Sequence, residues 1–355
     1  MATLKDISSR LGLSTATVSR ALNGFDDVSP DTRKRIEEAA RELGYVPNRA
    51  AKSLVSGRSN IICLIADLEL VRKNKKLGAP DFLELISSLS SELAELGYDL
   101  MFSVKTPKQD VVLQYSEMIK RGVVDSFIVG APAQDDSRIK FLEDAKFPFT
   151  VHGLAPKDSN APYVSADNAQ IIRDPLLALL DLGHQRVGII HDHPGTTHGA
   201  LRTETYLSTL KDAGQSPSEH LIFDHGADAT ALRSYLLGLF SERLGPKPTA
   251  LMCGTVHVAA EAARILSDLG LGIPQDVSLV AHDDGGTWPA MPASVPELCR
   301  TYFDWTETCA PLARMAIATS QTKPPYDDPE RQLIQCEMIF GRSIAKPKDH
   351  PATIT

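Results

Sequence analysis

Residues 3–24 read TLKDISSRLGLSTATVSRALNG, and this stretch decides the fold of the amino-terminal part of the chain. Apolar residues from Leu4 to Leu11 recur at helical spacing, which predicts a short amphipathic helix. Gly12 ends that helix because glycine tolerates the positive φ of a tight turn. Ser14 can then cap a second helix, which has small residues in its first turn. A short helix, a glycine turn and a second helix together form the plan of a helix-turn-helix.

The predicted second helix carries residues that suit contact with base pairs. Small side chains at Thr15 and Ala16 let the start of the helix approach base edges closely, and Arg20 can make a bidentate contact to guanine. A third helix is predicted from Ser29, because Pro30 favours the first helical position. On its own, this three-helix pattern leaves open a second interpretation, a small domain that binds another protein.

The segment after the third helix, residues 45–60, reads YVPNRAAKSLVSGRSN and favours contact with DNA. Asn48 can cap a helix that is too short to be stable alone in water. Basic residues surround the small Ala51 and the apolar Leu54. A segment of this kind is expected to fold only on DNA, where Leu54 would wedge between base pairs in the minor groove. The alternative is an ordinary linker between two domains.

The opening stretch, together with VSPDTRKRIEEAARELGYVPNRAAKSL at 28–54, resembles the LacI/GalR family of bacterial repressors. The resemblance implies that Thr15, Ala16 and Arg20 read bases in the major groove. It also implies that Leu54 pairs with its symmetry mate at the centre of the operator. The other residues expected to contact or orient on the DNA backbone, or to lie in the hinge segment, are Ser14, Thr17, Ser19, Asn23, Asn48 and Ala51.

From Asn60 onward the pattern changes to alternating predicted strands and helices. Buried strands are predicted at IICLIA (61–66) and VSLVAHD (277–283), and many of the segments between such strands have helical periodicity. This alternation predicts an α/β fold with parallel sheets, repeated as two similar halves. The resemblance extends over this region, more loosely, to the two-lobed periplasmic-binding-protein-like effector domain of the same family.

The resemblance also implies how the chain is organised. The chain is expected to cross between the lobes three times, near Gly183, near Arg300 and near Arg331. The predicted divisions are a helix-turn-helix head at 1–46, a hinge at 47–59, an effector-binding and dimerisation domain at 60–343 and a tail at 344–355.

Ligands of such a two-lobed domain bind in the cleft, at the carboxyl ends of the strands. A polyol is recognised by planar hydrogen-bonding groups and by an aromatic face for the C–H side of its ring. The resemblance implies that Arg202 and Asp283 contact the ligand and that Trp305 takes the family's aromatic position. The candidate ligand residues are Asp67, Asp167, Arg202, Asp283 and Trp305, followed by Phe82 and His152, which are expected at the starts of other loops. For each of them the alternative is a loop cap or an ion pair between the lobes.

The composition excludes several classes of protein. Of 355 residues, 43% are hydrophobic and 23% are charged, as is typical of a globular chain and not of a disordered or fibrous one. No apolar run approaches the ~20 residues of a membrane span, and the first residues lack the apolar core of a signal peptide. The 5 cysteines lie far apart, which favours neither a disulfide framework nor a metal site. We therefore expect a cytoplasmic protein.

The charge is divided unequally along the chain. Residues 1–58 hold ten Lys and Arg against seven Asp and Glu, which leaves 27 bases and 38 acids for the rest of the chain. A basic head on an acidic body suits a nucleic-acid module joined to a second domain.

Because GxxxxGK, GxSxG, HExxH and strand-linked GxGxxG motifs are all missing from the sequence, we expect no enzymatic activity, no cofactor and no metal.

Together these observations predict a regulator of transcription, expected to be a repressor, that binds double-stranded DNA at a pseudo-palindromic operator. A homodimer is expected, because the last residues contain no leucine heptad that would support a coiled-coil tetramer. The resemblance to sugar-responsive members of the family favours a small-molecule effector for this chain, such as a disaccharide or α-glucoside. A purine or nucleoside is the alternative effector. For the core alone, a solute-binding protein of a transport system is the rival interpretation.

Overall fold

The computed structural model describes residues 2–22, 25–45, 57–66, 79–105, 110–191, 195–225, 229–241, 243 and 245–348. The chain divides into two compact units, a head (Met1–Asn60) and a core (Ile61–Thr355).

Among its described residues the head contains the helices α1 (Leu4–Leu11), α2 (Thr15–Leu22) and α3 (Pro30–Glu42). Gly12 follows α1 with a φ of 66°, the left-handed conformation that the tight turn requires. Ile7, Val18 and Ile36, one from each helix, are fully buried against one another in the apolar core of the head. The predicted helix-turn-helix is thus confirmed, and α3 closes its core.

The first lobe of the core is built on one parallel sheet. Its strands are β1 (Ile61–Ala66), β2 (Asp99–Val104), β3 (Ser126–Gly130), β4 (Phe149–His152), β5 (Tyr163–Ala166) and β11 (Arg331–Ile334). Its helices are α4 (Ala79–Glu95), α5 (Val111–Arg121), α6 (Ser137–Asp144) and α11 (Cys309–Thr319). Within the described ranges the strand order is β2-β1-β3-β4-β5-β11.

Alternation along β1 explains how helices cover both faces of this sheet. Ile62 and Leu64 pack with residues of α4 and α11 on one face. Cys63 and Ile65 pack with residues of α5 and α6 on the other. Successive side chains of a strand point to opposite faces, so a strand that is apolar at every position needs a helical layer on each side.

The second lobe repeats this arrangement. Its strands are β6 (Val187–His191), β7 (Ile222–Asp224), β8 (Ala250–Cys253), β9 (Ser278–Asp283), β10 (Cys299–Tyr302) and β12 (Glu337–Ile339). Its helices are α7 (Asn168–Asp181), α8 (Thr197–Asp212), α9 (Ala229–Phe240) and α10 (Val256–Asp268). The described strands follow the order β7-β6-β8-β9-β10-β12, and β12 runs antiparallel to β10 at the edge. The predicted α/β fold with parallel sheets in two similar halves is confirmed.

The chain passes between the lobes at the points where it leaves the strands and helices of one lobe and enters those of the other. The first passage is at Asp167, between β5 and α7, and not near Gly183 as the sequence suggested. The reason is that α7 belongs to the second lobe, since its Ile172 and Leu176 pack with Ile189 of β6. The second passage follows β10 and leads to α11, and the third separates β11 from β12.

Among the described residues, no helix is both long enough and apolar enough to cross a membrane.

Candidate functional site

The start of α2 forms the candidate DNA-contacting surface of the head. The Ser14 hydroxyl caps the helix, because its Oγ accepts a hydrogen bond of 3.0 Å from the Thr17 N–H. Thr15 and Ala16 are exposed in the first turn, and Ser19 is half-buried. The capped end therefore presents small side chains and backbone N–H groups to the solvent, an arrangement that suits close approach to DNA.

Arg20, on the exposed face of α2, is held by neighbours that the sequence pattern did not identify. Its Nη2 lies 2.6 Å from Asp27 Oδ2 in an ion pair. Its guanidinium carbon lies 5.4 Å from the centre of the Phe25 ring. Both partners follow α2 in the connection to α3, and no spacing rule for helices would have linked them to Arg20.

Five of the residues proposed from the sequence lie outside the described residues. They are Asn23, Asn48, Ala51 and Leu54 in the head and Asp67 in the core.

The candidate ligand cleft of the core is formed by the carboxyl ends of the strands in both lobes, and the two lobes contact each other across it. Ala133, after β3, forms a β-bridge with Thr196, which caps α8. The Thr197 N–H donates to the Pro132 carbonyl at 3.1 Å, and the Thr197 hydroxyl donates to the Leu154 carbonyl at 2.6 Å. These contacts, which we call the interlobe clasp (residues 132–133, 154 and 196–197), were not anticipated from the sequence.

Arg202 connects α8, the start of α7 and the end of β8 at the carboxyl ends of the second-lobe strands. It lies on α8 and is 7% exposed. Its Nε donates to Asn168 Oδ1 at 2.9 Å, and its Nη1 donates to the Gly254 carbonyl at 3.3 Å. Asn168 is the first residue of α7, and Gly254 follows β8. The Asn168 side chain and the Gly254 carbonyl therefore help to hold the guanidinium at the carboxyl end of the sheet.

Asp283, at the end of β9, is 5% exposed. Its Oδ2 accepts from Arg300 Nε at 3.0 Å, and its Oδ1 accepts from the Gly285 N–H at 3.1 Å. The Arg300 guanidinium in turn lies 5.0 Å from the centre of the Trp288 ring. The sequence placed Asp283 at this edge but did not reveal Arg300 as its partner, since the pairing depends on the register of β9 against β10.

Asp167 and Trp305 lie at passages between the lobes. The Asp167 carboxylate caps α7 by accepting from the Gln170 N–H at 2.9 Å. Trp305 begins a short 3-10 turn (Trp305–Thr308) and packs against the apolar clusters of both lobes. Asp167 therefore has the capping role that was the alternative given from the sequence, whereas the packing of Trp305 between apolar clusters is a structural role that the sequence did not predict.

Phe82 and His152 differ in how well they match their predicted positions. Phe82 lies within α4 and not at the start of a loop, and its ring centre is 5.7 Å from that of Phe102 on β2. His152 ends β4, and its Nε2 lies 2.9 Å from Thr308 Oγ1. The Thr308 hydroxyl donates to the Trp305 carbonyl, so its oxygen accepts from the Nε2–H tautomer of His152.

Burial lowers the pKa of His152 to about 4, below the usual value for histidine. Between about pH 6.5 and pH 4 the unfolded chain therefore binds a proton that the folded protein does not, and stability falls as the pH falls through this range. For His152 alone the expected loss is about 2 kcal/mol at about pH 5.

The measurement is the melting temperature of the core at about pH 7 and about pH 5. The variant His152→Gln, which keeps a donor for Thr308 without a titrating ring, should lose less stability than the wild type on acidification. The other histidines are common to both proteins, so an equal loss in both would contradict the role of His152.

No group of three or more His, Cys, Asp or Glu side chains in the described part of the chain is arranged to hold a metal ion. Arg202, Asn168, Asp283 and Arg300 offer hydrogen bonding and charge at the carboxyl ends of the second-lobe strands.

A helix-turn-helix head joined to a two-lobed core with polar groups at its strand ends defines a class of ligand-responsive DNA-binding proteins. The family model for bacterial regulatory proteins of the lacI family matches residues 3–48, and the model for a periplasmic binding protein-like domain matches residues 176–344. The transcriptional regulator AglR of Rhizobium meliloti (strain 1021) is 31% identical over 98% of this chain and 95% of its own length.

Solved structures have the same fold. The lac repressor dimer bound to operator and the anti-inducer ONPF superposes with a TM-score of 0.73 at 20% identity, over 97% of this chain and 99% of that one. The complex of the transcriptional regulator CelR with cellobiose gives a TM-score of 0.67 at 22% identity, over 97% and 100%. The chain therefore belongs to the LacI family, as the resemblance implied, and is a DNA-binding transcriptional regulator.

Proposed function

We propose that this regulator binds a pseudo-palindromic operator as a homodimer and that a sugar in the cleft of the core controls this binding. The observation that carries the proposal is the presence of two buried charged side chains, Arg202 and Asp283, at the carboxyl ends of the second-lobe strands. Each is already oriented by hydrogen bonds to its own lobe. Rigid, planar groups of this kind suit the paired hydroxyls of a sugar ring.

A neutral disaccharide, such as an α-glucoside, is the proposed effector. Arg300 neutralises Asp283 within the lobe, so the site does not require a charged ligand to balance that carboxylate. The similarity to CelR, whose structure is a complex with cellobiose, supports a ligand of this size. A purine or nucleoside is the alternative, and it becomes one outcome of the test below.

On DNA, the exposed start of α2 is proposed to enter the major groove. Thr15 and Ala16 would approach base edges and Arg20 would read a guanine, while Ser14, Thr17 and Ser19 would contact or orient on the phosphate backbone. The similarity to the operator-bound lac repressor dimer supports two-fold symmetry. A symmetric dimer binds half-sites spaced by about one helical turn or a multiple of it. Asn23, Asn48, Ala51 and Leu54 remain part of the proposed DNA-contacting set.

The proposed coupling between effector and operator runs through the relative position of the two lobes. The interlobe clasp and the passages at Asp167 and Trp305 are the contacts that a bound sugar would favour or disfavour. An effector shifts such an equilibrium only by its difference in affinity for the two states, typically ~1–3 kcal/mol.

The test is a titration of the full-length protein with maltose, trehalose, cellobiose, glucose, nucleosides and sugar phosphates. The readouts are the melting temperature and the affinity for an operator selected from random duplexes at fixed salt. One disaccharide is expected to stabilise the core, by about 2.7 kcal/mol at a concentration one hundred times its Kd, and to change operator affinity. Stabilisation by a nucleoside alone would replace the sugar with the alternative effector, and operator affinity unchanged by every compound would contradict the proposal.

A further inference from the structure

The connection between α2 and α3 fixes an acidic group beside the proposed base-reading arginine. The Phe25 N–H donates to the Arg20 carbonyl at 3.0 Å, and Arg33 Nη2 donates to the Phe25 carbonyl at 2.7 Å. Phe25 is thereby tied to both helices, and Asp27 follows it by two residues. The carboxylate of Asp27 lies 2.6 Å from Arg20 Nη2, on a segment anchored independently of the pair itself.

We infer that Asp27 is a positioning residue for Arg20 and thereby sets the specificity of the regulator at one base pair of the operator half-site. This inference rests on the proposed role of Arg20 in reading guanine. Asp27 accepts from Nη2 of the guanidinium, and the guanidinium carbon lies over the Phe25 ring, 5.4 Å from its centre. These two contacts restrict a long, flexible side chain to a narrow range of orientations.

The arrangement leaves Arg20 able to bind a base. A guanidinium has five N–H donors in a planar fork, and the contact to Asp27 uses only part of them. The remaining donors are sufficient for the two hydrogen bonds to O6 and N7 of guanine. The side chains of Arg20 and Asp27 are 53% and 48% exposed, so the pair stands at the surface where DNA would lie.

The ion pair is expected to contribute little to the stability of the head. Exposed ion pairs contribute little to stability, and this one is open to solvent. A carboxylate near the phosphates also weakens binding to every DNA sequence by repulsion. The favourable effect of Asp27 should therefore appear in the discrimination between base pairs, and not in the affinity for DNA in general.

Asp26 provides a matched control that separates an effect on base-pair discrimination from an effect on general DNA affinity. Asp26 is the neighbouring residue, is also exposed and carries the same charge, whereas the ion pair to Arg20 is made by Asp27. The variants Asp27→Asn and Asp26→Asn remove the same charge from nearly the same place. Any general gain in affinity through reduced repulsion should be similar in both.

The experiment uses full-length wild type, Asp27→Asn, Asp26→Asn, Arg20→Ala and the double variant Arg20→Ala/Asp27→Asn. An operator is selected from random duplexes with the wild type. The Kd of each protein is then measured at fixed salt for this duplex and for duplexes with each single base-pair change. Arg20→Ala should lower the preference at one G·C pair about tenfold or more. Asp27→Asn should lower it about two- to fivefold at the same pair, and Asp26→Asn should leave it unchanged.

The double variant tests whether Asp27 acts through Arg20. Once Arg20 is absent, Asp27→Asn should have no further effect on the preference. An effect of Asp27→Asn equal to that of Asp26→Asn, or an increase in discrimination, would overturn the inference while leaving the role of Arg20 intact. A preference unchanged by Arg20→Ala would instead reject the underlying role of Arg20, and a wild type without sequence preference would reject the proposed operator binding.

Discussion

Replacing Arg202 with alanine is expected to abolish the response to the effector while the protein still binds its operator. The side chain is 7% exposed and holds Asn168 Oδ1 and the Gly254 carbonyl. Its removal leaves these buried acceptors unsatisfied, at about 1–3 kcal/mol for each, and deletes the cation proposed to bind the sugar hydroxyls. Effector affinity should fall about 100-fold or more, as measured by calorimetric titration of the purified protein.

Arg173→Ala is the matched control for this experiment. Arg173 lies on α7, its side chain is 49% exposed, and its ion-pair distance to Asp174 is 3.6 Å. The loss of an exposed arginine should leave effector affinity within about twofold of the wild type, because surface pairs contribute little. Wild-type effector affinity in a folded Arg202→Ala protein would contradict the placement of the ligand at the carboxyl ends of the second-lobe strands. Operator binding without effector shows whether the variant is folded.

Gly341→Ala is expected to destabilise the core strongly, because a Cβ there would meet backbone atoms. A Cβ at this position would overlap the Glu297 carbonyl oxygen and would lie 2.6 Å from the Leu298 carbonyl carbon. Both are backbone atoms, and the Arg342 N–H donates to the same Glu297 oxygen at 2.7 Å. The added methyl group therefore forces the segment after β12 away from the segment before β10.

The expected cost of Gly341→Ala is about 3 kcal/mol or more, measured as the change in free energy of unfolding of the core in a denaturant titration. Gly130→Ala is the control, since a Cβ there would meet only Leu64 Cδ1, at 3.9 Å. That substitution should change stability by less than about 1 kcal/mol. If both alanine variants unfold at the same denaturant concentration, the close approach at Gly341 does not constrain the core.

The sequence was most informative where the structure depends on neighbours along the chain. The spacing of Leu4, Ile7 and Leu11, the turn at Gly12 and the cap at Ser14 predicted the helix-turn-helix, and the structure has each of these features. Alternating strands and helices likewise predicted the parallel sheets of the core. These features follow from periodicity, capping and turn chemistry, which act over a few residues.

The errors and omissions concern contacts between distant residues. The family resemblance implied a first passage near Gly183, yet α7 already packs on the second sheet. Phe82 was expected at a loop and lies within α4. Which side chain meets another across a cleft or between strands depends on packing and register, and local patterns contain neither.

The sequence by itself determined the family, the α/β architecture, the helix-turn-helix and the strand end at which Asp283 lies. Only the tertiary structure decided that Asn168 and Gly254 hold Arg202, that Arg300 pairs with Asp283, and that Asp27 holds Arg20. The physical reason is the range of the interactions. Helix caps, turns and hydrophobic periodicity are local and leave a signature in consecutive residues. An ion pair or a buried hydrogen bond joins residues that folding brings together, so its partners become known only when the elements are packed.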